Sequence, residues 1–431
     1  MEKELNKYKL KVLKIFAVLG VLMLTIPTFF RLWKPLPGFE SYYFINKFSF
    51  LPEGALRFLP ILFGLLSLAL FYILAKELGF RKEICIYSTI LLAVSTPFMY
   101  LSNFFTYHII LMPILLLALY FYNKEQKIYF ALSIVLFLST LFFDVYALVS
   151  AILLLTYSLT KKKRVESSII LSFVLILFML LFLPQHILSV KQYFLQHTVF
   201  EFGSPVGLAA SSIILSLFGL MASWKYKYGL VYVYLAAILL SVLSKFFFFM
   251  PVYLNLFAVL FSAYALSEII NTKWELDTLK AISIIAVVCT ILFASVSYSF
   301  FVKDMQPSGD AVDSLIFLKA QPYGVVFSHP DKGFWIEYYA GKPVFSDTLT
   351  ANLRTENLSA ELYYSRNFKN STRLLNESKI KYIWIDQEMK EGQVWTKPEQ
   401  GLLFLFVDAN LFKKIYSNDE IEAWQYLKAP E

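Results

Sequence analysis

Long apolar runs separated by short polar segments make up the first 301 residues of the chain. A helix that crosses a bilayer needs about twenty apolar residues, and fewer where it packs inside a bundle. By that length the region contains about eleven predicted spans. They lie at 11–30, 55–75, 83–101, 104–122, 128–143, 145–160, 166–184, 209–223, 229–244, 247–266 and 281–301. The stretch 128–160 holds two spans only if the chain turns tightly at Asp144, which interrupts the apolar run.

Beyond Lys303 the pattern changes to short apolar runs among polar turns, which is typical of a small α/β domain. The runs predict strands at 324–328, 343–345, 380–385 and 412–416. Helices are predicted at 310–320, 334–340, 355–376 and 402–411. The sequence therefore predicts an α-helical transmembrane domain over 1–302 and an α/β domain over 303–431.

The distribution of lysine and arginine predicts the orientation, because these residues accumulate in cytoplasmic loops. One set of alternate loops holds eighteen of them: Lys3, Lys7, Lys9, Lys11, Lys14, Lys76, Arg81, Lys82, Lys124, Lys127, Lys161, Lys162, Lys163, Arg164, Lys225, Lys227, Lys273 and Lys280. The opposite set holds only Arg31, Lys34, Lys47, Lys191 and Lys245, with Arg57 just inside the second span. We expect an integral cell-membrane protein whose N-terminus is cytoplasmic and whose C-terminal domain lies outside the cytoplasm.

Composition agrees with a membrane protein and excludes several other classes. Hydrophobic residues make up 58% of the chain, charged residues 16%, and the mean hydropathy is +0.60. The net charge of +8 comes from short clusters between apolar runs, which argues against a nucleic-acid partner. Cys85 and Cys289 both lie within apolar runs, so neither a disulfide framework nor a cysteine metal site is expected.

Candidate chemistry begins at the outer end of the first predicted helix, where Arg31, Lys34 and Glu40 lie among several aromatic residues. Partial desolvation and nearby cations can tune a carboxylate for proton transfer, which makes Glu40 a candidate general base. The alternative is that Glu40 is a solvated loop carboxylate and that the two cations anchor a helix end.

Other polar residues fall at the same predicted face of the membrane. Asn103 and His108, with Tyr107, can bind sugar hydroxyls, although a packed histidine fits the pattern equally well. Asp144 either faces water or a partner, or it caps the following helix. Lys245 either binds a phosphate or extends toward the membrane surface.

The amino-acid sequence of this region resembles a known family. The pattern Arg31-x-x-x-Pro35-x-Pro37-Gly38-x-Glu40-Ser41-Tyr42-Tyr43, followed by Leu56-Arg57-Phe58-Leu59-Pro60-Ile61-Leu62-Phe63-Gly64, resembles membrane glycosyltransferases of the GT-C superfamily. The resemblance is to the protein-mannosyltransferase-like and archaeal oligosaccharyltransferase-like branches, and it continues through Ser95–Tyr100 to about residue 160. It implies an enzyme that transfers a sugar, with inversion, from a polyprenyl-phosphate (dolichyl-phosphate-type) lipid to a glycan or protein acceptor outside the cytoplasm.

The resemblance also implies roles for individual residues. Glu40 matches the acidic residue that acts as base or holds a metal in the family, whereas Phe39 stands where a second acid often lies. A divalent metal such as Mg²⁺ or Mn²⁺ is therefore less well supported, since hard cations need several oxygen ligands. Arginine and lysine suit the lipid phosphate. The expected substrate-binding residues are Arg31, Lys34, Tyr42, Tyr43, Arg57, Asn103, His108, Lys191 and Lys245.

A second segment, His329-Pro330-Asp331-Lys332-Gly333, looks like the tryptophan-tryptophan-aspartate-tyrosine-glycine region of oligosaccharyltransferases. Asp331 and Gly333 match, but His329 and Pro330 replace the tryptophan pair, so a structural role is the expected one. The departures leave open a catalytically degenerate relative that binds a lipid-linked glycan or scaffolds a surface assembly. A transporter is the third alternative, although only Asp144 among ionisable residues would support it.

Overall fold

The computed structural model describes residues 36–48, 50, 52–161, 164–182, 198–245, 247–348, 353–397 and 399–427. The predicted first span at 11–30 lies outside these residues. The chain forms two compact units, Met1–Lys34 with Gly54–Val302, and Pro35–Glu53 with Lys303–Glu431. The sequence division had kept helix α1 (Phe39–Lys47) with the membrane part, but its aromatic side chains pack within the second unit.

The described part of the first unit is mainly helical, with an isolated β-bridge between Val199 and Leu208. Its helices are α2 (Glu53–Glu77), α3 (Lys82–Ala93), α4 (Thr96–Asn103), α5 (Tyr107–Asn123), α6 (Lys127–Ser139), α7 (Ala147–Lys161), α8 (Val165–Phe182), α9 (Ala210–Ser223), α10 (Lys227–Leu243), α11 (Met250–Asn271) and α12 (Asp277–Asp304). Every predicted apolar run among the described residues coincides with a helix or, at 83–101, with the pair α3 and α4, which is bent by 60°.

Membrane-crossing length is a stricter criterion than apolar character. Among the described residues, four helical stretches are long and apolar enough, or five if the bent pair forms one span. They are Gly54–Glu77, Ala210–Leu243, Met250–Asn271 and Asp277–Val302. Helices α5 to α8 are apolar but shorter. The count of eleven spans therefore stays a prediction.

Two turns divide runs that length alone would join. A 3₁₀ turn at Thr140–Tyr146, which contains Asp144, separates α6 from α7. A second 3₁₀ turn, Trp224–Tyr226, follows α9, and the hydroxyls of Ser223 and Tyr234, 11 residues apart, lie within 2.8 Å. In an unbroken helix those residues would be about 16 Å apart along the axis, so the helical path is interrupted between α9 and α10.

Helix α11 is the central helix of the first unit. In its most apolar 18-residue window 83% of the residues are buried, whereas the values for the other three long stretches are 22–33%. Helix α9 packs very closely against α11, because a Cβ added to Gly219 would lie 1.7 Å from the Phe261 carbonyl oxygen. Small residues allow this approach, which favours dispersion contacts in a lipid environment where helices gain little from the hydrophobic effect.

Loops that the lysine and arginine pattern predicted on one face meet at one end of the unit. The contacts are Lys124 Nζ–Glu77 Oε1 at 2.9 Å, Asn271 Nδ2–Glu83 Oε2 at 3.2 Å, Lys225 Nζ–Glu268 Oε2 at 3.0 Å, and Arg164 Nη2 to the carbonyls of Lys124 and Glu125 at 3.2 and 3.1 Å. Exposed pairs of this kind add only about 0–1 kcal/mol each to stability. They matter here because they show which loops lie close together. The side of the membrane that they face is still a prediction.

The second unit contains a four-stranded sheet with the order β1-β2-β4-β3. Its strands are β1 (Val325–Phe327), β2 (Ile380–Asp386), β3 (Phe412–Ser417) and β4 (Ile421–Tyr426), with β1 parallel to β2 and the other pairs antiparallel. Its helices are α13 (Gly309–Ala320), α14 (Gly333–Trp335), which continues as a π-helix over Ile336–Ala340, α15 (Leu353–Tyr364), α16 (Phe368–Glu377) and α17 (Leu402–Leu405).

Several local predictions for this unit need correction. The segment 343–345 forms only an isolated bridge from Val344 to Val326, and strand β4 was missed because polar Glu422 and Gln425 interrupt its apolar residues. The predicted helix 355–376 is two helices, since the Asn367 side chain accepts hydrogen bonds from the Lys369 and Asn370 amides and starts α16.

Candidate functional site

A tight turn places Glu40 at the start of α1. Gly38, the residue before this helix, has φ 83° and ψ 151°, a backbone conformation that is essentially restricted to glycine. Its amide donates a hydrogen bond to the Met305 carbonyl at 3.0 Å, and the Ser41 hydroxyl donates to the Pro37 carbonyl at 2.8 Å. Glu40 is thus the second residue of a helix with a fixed start, while the side chains of Phe39 and Glu40 lie outside the described part of the structure.

Tyr42, one of the predicted substrate-binding residues, is buried in protein contacts. Its ring packs against Trp335, Tyr338 and Tyr339 at centroid distances of 6.5, 5.1 and 5.5 Å. Its hydroxyl shares a hydrogen bond of 3.1 Å with that of Tyr339. We call these four residues the aromatic clamp. Only 1% of Tyr42 is exposed, so these protein contacts enclose it, and its role in substrate binding stays a prediction.

Tyr43, another predicted substrate-binding residue, is less enclosed than Tyr42. Its ring lies 5.3 Å from that of Phe334 and 5.2 Å from that of Phe44. The Lys47 ammonium, one turn further along α1, lies 4.4 Å from its centroid. This cation–π contact fixes one face of a half-buried ring at the surface of α1.

A buried ion pair anchors the segment that carries the clamp. Lys332, 3% exposed, contacts Asp386 Oδ2 at 3.0 Å and Glu388 Oε2 at 2.6 Å. Its ammonium also lies 5.0 Å from the Trp335 ring centroid. Burial opposes the charged form, but the two carboxylates outweigh it and raise the pKa of Lys332. Lys332 thereby joins the start of the segment 332–340, which carries three residues of the clamp, to the end of β2.

The residues just before Lys332 form a more exposed polar group. Gln393 Nε2 lies 3.3 Å from both His329 Nδ1 and Asp331 Oδ2, and the latter two atoms are also 3.3 Å apart. Within the clamp segment, Glu337 is half-buried, and burial, with a smaller effect of the Asp347 carboxylate, raises the pKa of Glu337. The segment 329–340 therefore contains a lysine held in a buried ion pair, an exposed polar group and the aromatic residues of the clamp.

The candidates of the first unit near α5 are enclosed. His108 is fully buried, with Nδ1 2.8 Å from the Tyr253 hydroxyl and its ring 3.9 Å from Phe249 and 4.4 Å from Tyr146. Its Nε2 has no hydrogen-bond partner among the described residues. Asn103 is also buried, and its amide donates to the Met99 carbonyl at 2.8 Å. His108 and Asn103 are thus packed inside the first unit, and their role in sugar binding stays a prediction.

Only two of the five predicted cations lie among the residues that the structure describes. Arg57 is half-buried in the first turns of α2, and Lys245 is exposed just after α10. Arg31, Lys34 and Lys191 lie outside the described residues. The structure therefore groups Tyr42 and Tyr43 on α1, and Asn103 with His108 near the start of α5.

Sequence reasoning missed the partners of both groups. Trp335, Tyr338 and Tyr339 are spaced i, i+3, i+4, so they share one face of a helical segment, and that spacing was a readable signal. No comparable signal linked Tyr253 or Phe249 to His108, because the contact joins residues 145 apart.

A divalent-metal site needs several ligand atoms close together. Within the described ranges, no three His, Cys, Asp or Glu residues are close enough to hold a metal ion. Phe39 supplies no oxygen ligand beside Glu40. Hard cations need several oxygen ligands, and the Glu40 side chain lies outside the described part of the structure, so the divalent metal stays a prediction.

Comparison with known families points to membrane glycosyltransferases. Residues 31–194 match the family model described as dolichyl-phosphate-mannose-protein mannosyltransferase, a segment that includes Glu40. No curated protein sequence matches the chain. The predicted resemblance is thereby confirmed for this part of the chain.

Solved structures extend the similarity to most of the chain. The archaeal oligosaccharyltransferase AglB from Archaeoglobus fulgidus, in complex with an inhibitory peptide and a dolichol-phosphate, has a TM-score of 0.63 at 13% identity, over 89% of this chain and 70% of AglB. ArnT from Cupriavidus metallidurans in the apo state has a TM-score of 0.52 at 10% identity, over 91% of this chain and 88% of ArnT. The chain shares the fold of these membrane proteins. At such identities the likeness establishes the fold alone.

Proposed function

We propose that this protein is an inverting glycosyltransferase that moves a sugar from a polyprenyl-phosphate lipid to an acceptor on the extracytoplasmic side of the membrane. The observation that carries the proposal is the position of Glu40. It lies in the segment that matches the mannosyltransferase family model, and it follows the glycine turn that starts α1. A carboxylate with a defined backbone position suits a general base.

The proposed reaction needs one base and a leaving phosphate. The acceptor hydroxyl oxygen attacks the anomeric carbon as Glu40 takes the hydroxyl proton. The bond between that carbon and the phosphate oxygen breaks, its electron pair leaves with the polyprenyl phosphate, and the anomeric configuration inverts. Positive charge stabilises the departing phosphate. Arg31, Lys34, Arg57, Lys191 and Lys245 are the proposed sources of that charge.

The choice of substrates rests on the similar proteins. The AglB structure contains a peptide and a dolichol-phosphate, which supports a lipid-linked donor and a peptide or glycan acceptor here. The lysine and arginine bias supports an external location for the second unit. Because Phe39 stands where the family often has a second acid, the proposed reaction assigns no step to a divalent cation.

A catalytically degenerate relative is the second candidate. The specific observation that favours it is Phe39, which stands where the family often has a second acid, and His329 with Pro330 adds a further departure. Such a protein would bind a lipid-linked glycan without releasing the carrier.

Donor turnover distinguishes the two candidates. Purified protein in detergent is incubated with radiolabelled polyprenyl-phosphate sugars, with and without Mg²⁺ or Mn²⁺, and free polyprenyl phosphate is scored. Release in the presence of a chelator supports the proposed metal-independent transfer, while release that requires added metal contradicts that part of it. Binding of the lipid by native mass spectrometry without release from any donor supports the degenerate relative.

A further inference from the structure

Helix α1 is built into the second unit although the sequence places it between the first two predicted spans. Leu36, Tyr42 and Ile45 are 2%, 1% and 4% exposed, and the Gly38 amide bonds to the Met305 carbonyl. These contacts leave α1 little freedom to move independently of the residues that follow α12. The position of the Glu40 backbone is therefore set by the second unit.

The aromatic clamp supplies specific contacts between α1 and the segment 335–339. Tyr42 meets Tyr338 edge-on, with an interplanar angle of 60°, and meets Trp335 at 80°. Edge-to-face pairs of this kind add about 0.5–1.5 kcal/mol each beyond their buried area. The Tyr42–Tyr339 hydrogen bond adds direction to the packing. Together they define one rotational setting of α1.

The segment that carries Trp335, Tyr338 and Tyr339 begins at Lys332, which is attached to the sheet by an ion pair. Lys332 contacts Asp386, the last residue of β2, and Asp386 also accepts a hydrogen bond from the Met389 amide at 2.9 Å. The segment from Lys332 to Tyr339 therefore runs without a gap from a buried ion pair to the clamp. A continuous series of packed contacts links β2 to α1.

We propose that Tyr42 is a positioning residue that, through Trp335, Tyr338 and Tyr339, holds the helix of Glu40 in register with the sheet-anchored segment 332–340. The proposal rests on the proposed function, because it assigns the clamp a purpose in catalysis. It explains why a residue of the candidate loop is almost fully buried in protein instead of facing a substrate.

Three variants test the proposal. Tyr42→Phe keeps the ring and removes one hydrogen bond, Tyr42→Ala removes the ring, and Tyr426→Ala is the control. Tyr426 is also buried, at 5% exposed, but it packs against Phe412. Tyr42→Ala should lower kcat by about 100-fold through misplacement of the base, with KM for the donor lipid unchanged. Tyr42→Phe should keep most of the activity.

Hydrogen exchange gives a readout that does not need turnover. Amides of 39–47 should exchange faster in Tyr42→Ala and in Trp335→Ala, but not in Tyr426→Ala. Unchanged exchange in the first two variants overturns the proposal. So does a wild-type kcat in Tyr42→Ala, or an equal loss in Tyr426→Ala. If the wild-type protein turns over no donor, the proposed function fails, and the exchange measurement still decides whether the clamp holds α1.

Discussion

The hydroxyls of Tyr42 and Tyr339 lie 3.1 Å apart although the two residues are separated by 297 positions in the chain. This hydrogen bond places the helix that carries Glu40 in the same compact unit as the four-stranded sheet. The candidate base of this protein therefore lies on a helix that packs within the unit containing the sheet. Stability measurements on the second unit therefore bear on the candidate site.

The turn before α1 should not tolerate a side chain. Gly38→Ala forces an L-residue into φ 83°, ψ 151°, which costs about 1–3 kcal/mol. Thermal unfolding in detergent should shift down, and amides of α1 should exchange faster. The control is Gly54→Ala, since a Cβ at Gly54 meets no atom within 4 Å. Equal stability of the two variants would contradict the prediction.

The α9–α11 contact should be equally sensitive. In Gly219→Ala the new Cβ would lie 1.7 Å from the Phe261 carbonyl oxygen, so the helices must separate, at a cost of about 1–3 kcal/mol. Gly229→Ala in α10 is the matched control because nothing lies within 4 Å of its Cβ. Thermal unfolding should be lower for the first variant only. An unchanged melting temperature in Gly219→Ala would contradict the close packing.

The Lys332 ion pair should contribute strongly to the stability of the second unit. Lys332→Met leaves the buried Asp386 carboxylate without its cation, and breaking a buried pair in this way costs about 3–5 kcal/mol. The exposed Lys397→Met should change stability by no more than about 0.5 kcal/mol. Denaturant unfolding measures both, and equal values would show that the pair contributes little.

The pH dependence of that contribution follows from the raised pKa of Lys332. A raised pKa in the folded state gives stability that is complete below the unfolded value, about 10.4, and lost as pH rises through the folded value. The difference between wild type and Lys332→Met should therefore be constant near neutral pH. A difference that declines between about pH 6 and 8 would contradict the assignment.

Glu337 should follow the same rule at acidic pH, since burial and the Asp347 carboxylate raise the pKa of this carboxyl group. Its protonated form favours folding below the unfolded pKa, about 4.3, and that advantage is lost as pH rises through the folded pKa. Glu337→Gln mimics the protonated form at every pH, so it should melt higher than wild type at neutral pH and equally near pH 4. The exposed Glu356→Gln is the control.

The helices of the first unit could be predicted because a bilayer sets the length and composition of each span. The turn at Asp144 was visible as one charge in an apolar run, and Thr140–Tyr146 is a 3₁₀ turn there. Strand β4 was not visible, since Glu422 and Gln425 hide its apolar residues among polar ones.

The surroundings of the candidate site could be predicted only in part. The local sequence pattern indicated Glu40 and Tyr42, and the resemblance of their segment to a family gave them candidate roles. That α1 belongs to the second unit could not be predicted, because contacts such as Tyr42–Tyr338 join distant parts of the chain. The packing of His108 against Tyr253 is hidden from sequence for the same reason.

The most direct test of the central claim compares Glu40→Gln with Glu53→Gln in the donor-release assay. Glu53 is a second carboxylate at the start of α2, and it serves as the matched control. The account predicts that Glu40→Gln releases no polyprenyl phosphate above background while it unfolds at the wild-type temperature, and that Glu53→Gln keeps wild-type release. Full release by Glu40→Gln, or equal loss in both variants, would contradict the assignment of Glu40 as the base.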